Sequence, residues 1–204
     1  MDFEADMITF NDPRDEWSHA NTIVPLDDDR IMVSFRNTST VGIVDCATGN
    51  FSWKLGYDVL SQQHDPNMLE NGNILIFDNG SHRKSDARTP SRVIEVDPAT
   101  DEIVWEYRDQ PAFNFFSPYI SGARRLPNGN TLITEGNFGR LFQVTPKVRS
   151  CGSTSTLTTT KTRTGIRRTP CFGPPTTCAR TFRSLADNQV SPVFGSVAKT
   201  VSRI

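Results

Sequence analysis

The sequence contains three copies of one hairpin plan, and this repeat constrains the fold more than any other feature. Each copy is an apolar stretch, a tight polar turn and a run rich in β-branched residues. The second and third turns end in Asn-Gly at Gly72 and Gly129, a strong signal for a two-residue hairpin turn, because Asn and Gly both accept the positive φ angles it requires. Asp28 and Asp29 form the first turn. We therefore predict β-hairpins over residues 24–33, 67–76 and 124–133.

A second pair of strand-like runs follows each of the first two hairpins, so that each unit has four short strands. Asp45 and Asp97 are separated by the same interval as Trp53 and Trp105, which indicates that the second pair repeats as well. Four strands with a period of roughly 40 to 50 residues are typical of a β-propeller blade. We predict an all-β chain in which residues 1–147 form a β-propeller fragment of about three four-stranded blades.

Residues 148–204 break the repeat and differ in composition from the rest of the chain. Residues 1–147 carry 22 of the 23 acidic residues but 13 of the 22 basic ones, whereas the tail is basic and rich in Ser, Thr and Arg. Back-translation of residues 147–156, read from the third base, gives Gly-Ala-Val-Val-Trp-Glu-Tyr-Val-Asn, which matches the run around Trp105. The hypothesis is that a lost base places residues 148–204 out of frame. The alternative is a natural, disordered low-complexity tail.

Composition and spacing exclude several classes of function. No apolar run approaches the roughly 18 residues that cross a bilayer, and the acidic N-terminus does not resemble an export signal. The cysteines lack metal-ligand spacing, and a metal site built from His19, His64 and Asp65 would lack a close ligand pair. We predict no metal, no cofactor, no membrane span and no nucleic-acid partner. The sequence specifies neither the oligomeric state nor the compartment.

Polar residues stand just before or after strand-like runs in the first two units. His19 and Asn21 precede the first hairpin, Arg36 and Asn37 directly follow it, and His64 precedes the second. If the units are wedges of a ring, these side chains could converge on one anion. Alternatively, the histidines tie strands together by hydrogen bonds, and Arg36 pairs with a surface carboxylate, a contact of little energetic value.

Five short motifs, in order and at blade spacing, resemble the arylsulfotransferase family over residues 16–147. These are the aryl-sulfate sulfotransferases, six-bladed propellers that move a sulfuryl group from one phenol to another without a nucleotide donor. The motifs are Glu16-Trp17-Ser18-His19-Ala20-Asn21, Ser34-Phe35-Arg36, Trp53-Lys54-Leu55-Gly56, Gln63-His64-Asp65 and Phe77-Asp78-Asn79-Gly80.

The resemblance implies a role for each of the polar residues. His64 is implied as the nucleophile that forms a transient sulfohistidine, while His19, Asn21 and Arg36 bind the sulfuryl oxygens and Asn37 is a further substrate-binding residue. A neutral imidazole is nucleophilic near pH 7, and a covalent intermediate divides one difficult displacement into two easier ones. His19 either protonates the leaving phenolate or holds an oxygen. The implied partners are a small aryl sulfate donor and a phenolic acceptor, used in ping-pong order, and family members are commonly exported.

An aromatic insertion separates the second and third hairpins. It contains Phe115 and Phe116, which we predict to stack on the aryl acceptor, because loops on a rigid scaffold usually carry substrate contacts. The alternative is that the insertion packs on the rim of the blades.

Two departures from the family pattern bear on activity. The family has a further active-site histidine upstream of the position of His19, and no counterpart can be assigned here. Rings of this type have 4 to 8 blades, more than the three units found. We therefore predict a truncated fragment that does not turn over substrate. The alternative function is a non-catalytic propeller that binds a protein or glycan partner.

Overall fold

Three antiparallel sheets of four strands each make up the architecture of the part of the chain that the structure describes. A computed structural model describes residues 8–9, 11–83 and 89–147, and the backbone alone of residues 150–155. Each strand pairs with the next one along the chain, so the sheets are simple meanders. Within these described residues the helical elements are two single 3-10 turns, Ala112–Asn114 and Gly136–Phe138. The prediction of an all-β fold with about three four-stranded units is confirmed.

The strands are short, as the spacing of the turns requires. The first sheet consists of β1 (Ala20–Pro25), β2 (Arg30–Phe35), β3 (Thr40–Asp45) and β4 (Phe51–Leu55). The second sheet consists of β5 (His64–Met68), β6 (Ile74–Asp78), β7 (Arg92–Asp97) and β8 (Glu102–Tyr107). The third sheet consists of β9 (Gly122–Arg125), β10 (Thr131–Glu135), β11 (Arg140–Val144) and β12 (Ser150–Ser155).

The hairpin turns have the predicted positions but not the predicted type. The Leu69 amide donates to the Asn73 carbonyl at 2.8 Å and the Gly72 amide donates to the Leu69 carbonyl at 2.9 Å, so three residues form the loop. Of these three, the last one, Gly72, has a positive φ of 86°. Gly129 and Asp29, with φ values of 82° and 57°, occupy the same place in the other turns. The predicted two-residue turn is wrong, because one left-handed residue closes a three-residue loop where a two-residue loop needs two.

The core consists of two apolar clusters, one on each face of the second sheet. In β6, Ile74 and Ile76 pack in the cluster shared with the first sheet, whereas Leu75 and Phe77 pack in the cluster shared with the third. All four side chains are fully buried. Successive strand residues point to opposite faces, and a continuous apolar run therefore marks a strand covered on both sides. Each such side chain stabilises the fold by about 1.5–3 kcal/mol relative to an exposed one.

Two tryptophans at equivalent positions tie neighbouring sheets together. The Trp53 indole in β4 donates to the Asp101 carboxylate, in the turn between β7 and β8, at 2.7 Å. The Trp105 indole in β8 donates to the Pro146 carbonyl, just after β11, at 3.0 Å. Each ring also packs against one of the two core clusters. The repeated tryptophan thus anchors each outer strand to the following sheet.

The first strand of each sheet lies on the side where the sheets meet most closely. β5 contacts β1 and β2 of the first sheet and β9 of the third. Ala20, at the start of β1, pairs with Phe35 at the end of β2, and His64, at the start of β5, pairs with Phe77 near the end of β6. The starts of β1 and β5 and the end of β2 therefore share one edge, opposite the hairpin turns. We call this edge the polar edge.

The third sheet continues past residue 147. β12 pairs through its backbone with β11, from Ser155 opposite Arg140 to Ser150 opposite Val144. A strand at this place is what the repeat of four strands per unit requires. Residues 148–149 and 156–204, the rest of the predicted out-of-frame or disordered tail, lie outside the described residues, and the domain boundary at residue 147 stays a prediction.

Candidate active site

The backbone is irregular at the polar edge. His19, Gln62 and Asp65 have positive φ values of 46°, 53° and 55°. Register shifts interrupt β1 and β5 just inside this edge. Left-handed backbone is uncommon for residues other than glycine and accumulates at functional sites, and a bulge redirects the side chains beside it.

Arg36 is held rigidly between the first two sheets. It follows β2, and 19% of its side chain is exposed. Its Nη1 donates to the Asn37 amide oxygen at 3.0 Å and its Nη2 donates to the Gln62 amide oxygen at 2.8 Å. The Asp12 carboxylate lies 3.6 Å from Nη1. These contacts fix the plane of the guanidinium and leave its other N–H donors for an anion, since arginine has five.

Asn37 supports Arg36 from inside the protein. Its side chain is almost fully buried. Its oxygen accepts from Arg36, and its nitrogen donates to the Glu16 carbonyl at 2.8 Å. Both ends of the amide are therefore engaged within the protein, which argues against the substrate contact predicted for Asn37. Its contribution here is to position the guanidinium.

The His64 imidazole projects from the first residue of β5. Its Nδ1 lies 2.8 Å from the amide oxygen of Asn79, a fully buried residue that directly follows β6. The Asn79 amide nitrogen in turn donates to the carbonyls of Ser117 and Ile120, at 2.7 and 3.0 Å. The ring is thus oriented by a side chain whose own position is fixed by backbone of the following connection.

The surroundings of His64 favour the neutral ring. Burial is the largest cause that lowers the pKa of His64 below the ordinary value of histidine, and the positive charges of Arg36 and His19 lower it further. The hydrogen bond to Asn79 and the nearby carbonyl of Gln62 act in the opposite direction and raise the pKa, but less strongly. His64 is therefore uncharged near pH 7, the form in which imidazole has a nucleophilic lone pair.

His19 has a different partner and a more open setting. It directly precedes β1, and its Nδ1 lies 2.9 Å from the Glu16 carboxylate. The side chains of His19 and Glu16 are 38% and 55% exposed. A carboxylate accepts the Nδ1 hydrogen whether the other ring nitrogen is protonated or not, so His19 can exchange a proton at Nε2 without losing its orientation.

Asn21 approaches the loop that carries His64. Its Nδ2 donates to the Gln63 carbonyl at 2.9 Å, while its Oδ1 is buried and has no partner among the described residues. The Gln63 side chain is itself fully buried and donates to the Ser34 hydroxyl and the Thr40 carbonyl, both at 2.9 Å. Asn21 retains one amide hydrogen for a ligand, as the other is used by Gln63.

Several direct contacts link the predicted site residues. The Arg36 side chain reaches Gln62, two residues before His64, and the Arg36 amide donates to the His19 carbonyl at 3.0 Å. Asn21 bonds the residue next to His64. The charges of Arg36 and His19 both act on the His64 ring. The residues that share this corner of the polar edge are His19, Asn21, Arg36 and His64.

The two predicted aromatic contacts have different locations. Phe115 is fully buried in the second core cluster, where it makes edge contacts with Phe77 and Phe142 at centroid distances of 5.4 and 5.7 Å. This burial argues against the predicted stacking of Phe115 on a substrate, because the ring is already covered on its faces and edges. Phe116 is half-buried, and its backbone amide donates to Glu135 at 3.0 Å.

Sequence reasoning did not assign roles to four residues that organise the site. Glu16 and Asn79 stand in the quoted motifs and orient the two imidazoles. Gln62 bridges Arg36 and Asp12, donating to the two carboxylate oxygens of Asp12 at 3.0 and 3.3 Å. The repeat itself contained a signal for Asn79, because it directly follows β6 just as Arg36 directly follows β2.

The described residues contain neither a metal-binding cluster nor a membrane-spanning helix. In residues 8–9, 11–83 and 89–147, no group of three or more His, Cys, Asp or Glu side chains is arranged to hold a metal ion. Asp65, a candidate ligand, accepts from the Ala123 amide at 3.1 Å and pairs with Arg124. Over the same part of the chain, no helix has the length and apolar character of a membrane span.

Two solved structures are similar to part of this chain. One is a protein of unknown function from Bacteroides caccae, with a TM-score of 0.50 and 16% identity over 67% of this chain and 45% of that one. The other is Kuenenia stuttgartiensis hydrazine synthase, with a TM-score of 0.46 and 16% identity over 68% of this chain and 38% of that one. The chain thus spans less than half the length of either structure. The first likeness concerns the fold alone, and no curated protein matches the chain.

A family profile covers the whole of the polar edge. The profile described as Arylsulfotransferase (ASST) matches residues 6–149, more than half of the 204 residues and the segment that carries His19, Arg36 and His64. The chain belongs to the arylsulfotransferase family.

Proposed function

We propose that this site moves a sulfuryl group from a phenolic sulfate ester to a phenol, with His64 as the transient carrier. The observation that carries the proposal is a half-buried imidazole, whose pKa is lowered chiefly by burial and which is held through Nδ1 by Asn79, beside the guanidinium of Arg36. A neutral nucleophile next to a fixed positive charge suits attack on an anionic ester. The family membership of residues 6–149 supports the same chemistry.

In the first half-reaction, a lone pair on the His64 ring attacks the sulfur of the donor. The N–S bond forms while the bond from sulfur to the aryl oxygen breaks, and that electron pair leaves with the phenolate. The sulfuryl group is then on the imidazole, and no oxidation or reduction occurs. In this proposal His19, oriented by Glu16, protonates the leaving phenolate oxygen.

The second half-reaction reverses these steps with a new phenol. The acceptor oxygen attacks sulfur, the N–S bond breaks and its electron pair returns to the His64 ring. The hydroxyl hydrogen of the acceptor passes to His19. The donor leaves before the acceptor reacts, so ping-pong kinetics are expected.

Arg36 and Asn21 supply the positive charge and the hydrogen-bond donors for the sulfuryl oxygens. Negative charge spreads over these oxygens during transfer, and donors fixed in advance stabilise it without reorganisation. The Arg36 guanidinium is fixed by Asn37 and Gln62 and keeps further N–H donors. Asn21 offers its second amide hydrogen. Phe116, the accessible member of the predicted aromatic pair, is proposed as a contact of the aryl group.

The proposal is tested by trapping the covalent intermediate. The purified chain is mixed with 4-nitrophenyl sulfate without an acceptor, and phenolate release is followed together with intact mass at neutral pH, since an N–S bond to imidazole hydrolyses in acid. We expect a burst of one equivalent of phenolate and the addition of one sulfuryl group, located on His64 by peptide mapping. His64→Ala should abolish both, whereas His82→Ala, a change at an exposed histidine that is not among the proposed site residues, should not. A label elsewhere, or none, contradicts the proposal.

Adding phenol to the same reaction tests turnover and the competing function. Release of the label to phenol, with continuing phenolate production, completes the transfer and shows that the predicted inactivity of the chain is wrong. A non-catalytic scaffold would give neither a burst nor a label.

A further inference from the structure

Asn79, which contacts the predicted nucleophile, is itself held firmly within the protein. It is fully buried, and its amide nitrogen donates to the carbonyls of Ser117 at 2.7 Å and Ile120 at 3.0 Å. Its amide oxygen faces Nδ1 of His64 at 2.8 Å. Both hydrogens of the Asn79 amide are thus donated to acceptors within the protein.

These contacts determine which way the Asn79 amide points. A backbone carbonyl can accept but not donate, so both groups facing the carbonyls of Ser117 and Ile120 must be the NH₂ hydrogens. Turning the amide over would place its oxygen against two carbonyl oxygens and its nitrogen toward His64. The hydrogen-bond partners therefore assign oxygen to the side that faces the imidazole.

The orientation of Asn79 in turn determines the tautomer of His64. An amide oxygen is an acceptor, so the ring nitrogen that faces it must carry the hydrogen, and the hydrogen bond made by one ring nitrogen fixes the state of the other. We propose that Asn79 is a positioning residue that holds neutral His64 as its Nδ1–H tautomer and so presents the lone pair of Nε2 as the nucleophile. The statement about Nε2 as nucleophile rests on the proposed function, whereas the statement about the tautomer does not.

The surroundings of Asn79 explain why it can impose this state. Its backbone carbonyl accepts from the Ser91 hydroxyl at 2.8 Å, and the same hydroxyl oxygen accepts from the Ser117 amide at 2.9 Å. The connection between the second and third sheets is thereby fixed to the residue that orients His64. Connected, fully satisfied polar networks of this kind are rigid.

The neighbouring residue adds a second anchor. Asp78 is fully buried and pairs through Oδ2 with Arg83 and Arg92, both at 2.8 Å. Its Oδ1 accepts from the Ser61 amide at 2.8 Å, three residues before His64. Both sides of the contact between His64 and Asn79 are therefore attached to one buried ion network, and small shifts of either residue are resisted.

The experiment reads the tautomer directly. Long-range ¹H–¹⁵N spectra of ¹⁵N-histidine-labelled protein distinguish a protonated Nδ1 from a protonated Nε2, at a pH where His64 is neutral. We expect the Nδ1–H tautomer for His64 in the unchanged chain. An Nε2–H signal there overturns the proposal regardless of any variant.

Variants of Asn79 distinguish a specific effect on the His64 tautomer from a general contribution to the fold. Asn79→Ala should lose the Nδ1–H signal, and Asn79→Asp, which keeps an acceptor toward the ring, should retain it. The matched control is Asn67→Ala, because Asn67 also donates to backbone carbonyls of the second and third sheets, Leu75 and Ala123, but does not touch His64. It should retain the Nδ1–H signal, and an unchanged signal in Asn79→Ala overturns the proposal.

Sulfuryl labelling provides a separate readout that depends on the proposed function. With a wrong tautomer, we expect the labelling rate of His64 in Asn79→Ala to fall on the order of 10²-fold or more, as for other nucleophile or base imidazoles held in the wrong tautomer. Labelling on Nδ1 in the unchanged chain would contradict the assignment of Nε2. If the Nδ1–H tautomer is present but no label forms, the proposed function fails and the positioning role of Asn79 stands.

Discussion

His64 and His19 lie at the same edge of neighbouring sheets, but one ring is held by an amide inside the protein and the other by a carboxylate near the surface. The amide oxygen of Asn79 offers no charge to balance an imidazolium, and burial opposes protonation of His64. The Glu16 carboxylate does offer such a charge, and His19 is 38% exposed to solvent. The difference teaches that similar histidines acquire different surroundings from their partners, and the proposed function assigns the nucleophile to His64 and the proton transfer to His19 for this reason.

The largest expected effect is the difference in sulfuryl labelling between a His64 variant and a His19 variant. His64→Gln should abolish sulfuryl labelling, because the atom that accepts sulfur is removed. His19→Gln should leave His64 reactive but slow the labelling by about 10²–10⁴-fold, the usual contribution of a proton donor. Stopped-flow phenolate release with mass analysis measures both. Equal loss in the two variants would remove the distinction between nucleophile and proton donor.

The next effect tests the positive charge of Arg36, which lies at the same corner of the polar edge as both histidines. Arg36→Gln should reduce the labelling rate on the order of 10²–10³-fold, because a fixed donor to the sulfuryl oxygens is lost. Arg30→Gln is the matched control, since Arg30 pairs with Asp28 near the surface and is remote from the polar edge. A similar loss in the control would show that general charge, and not the position of Arg36, is responsible.

The pH dependence sharpens the comparison further. Because burial, Arg36 and His19 lower the pKa of His64, the labelling rate should stay constant as the pH falls through about 6.5, the ordinary histidine value, and decline only at lower pH. The linked stability is fully present above that ordinary value and is lost as the pH falls toward the pKa of the folded state. Arg36→Gln should move the midpoint of the decline to higher pH. Single-turnover rates between pH 5 and 8 measure the shift, and a midpoint above about 6.5 in the unchanged chain contradicts it.

Substitution of Asp12 makes the surroundings of Arg36 more positive without changing either histidine. Its carboxylate lies 3.6 Å from the guanidinium and is 6% exposed. Asp12→Asn keeps the size and an acceptor for Gln62 but removes the negative charge, so inorganic sulfate should bind about fivefold more tightly, as expected for roughly 1 kcal/mol. Titration calorimetry measures the affinity. Unchanged or weaker sulfate binding would show that Arg36 does not face the anion.

The smallest effect concerns the stability contributed by the surface pair. Glu16→Gln should change the free energy of unfolding by less than about 1 kcal/mol, because exposed ion pairs contribute little. Urea unfolding measures it, with Asp28→Asn, in another exposed pair, as the control. A large destabilisation would mean that Glu16 supports the fold and does not chiefly orient His19.

Local patterns were sufficient to predict the sheets. The turn residues and the alternation of strand residues are local properties, so three four-stranded units could be predicted before any contact was known. The turn type could not be predicted in the same way, because an Asn-Gly pair fits both a two-residue and a three-residue loop. The choice is made by the pairing of Leu69 with Asn73, which depends on the strands around it.

The candidate site residues could be predicted from the sequence, but the residues that support them could not. His19, Arg36 and His64 could be identified as candidates from residue type and motif order, and the structure places them at one corner. The sequence did not distinguish Phe115, which is fully buried, from Phe116, which is half-buried, because the face to which each ring turns depends on the third sheet.

The sequence by itself determined that the chain forms repeated antiparallel sheets and that two imidazoles and a guanidinium stand at their ends, because strand period and turn chemistry act between near neighbours. Only the tertiary structure decided what each imidazole faces. Asn79 and Glu16 are partners of the same kind of ring, yet one contact spans 15 positions along the chain and the other three. Burial, charge and hydrogen-bond direction around His64 arise from packing of the second sheet against its neighbours, and these decide which ring nitrogen keeps its lone pair.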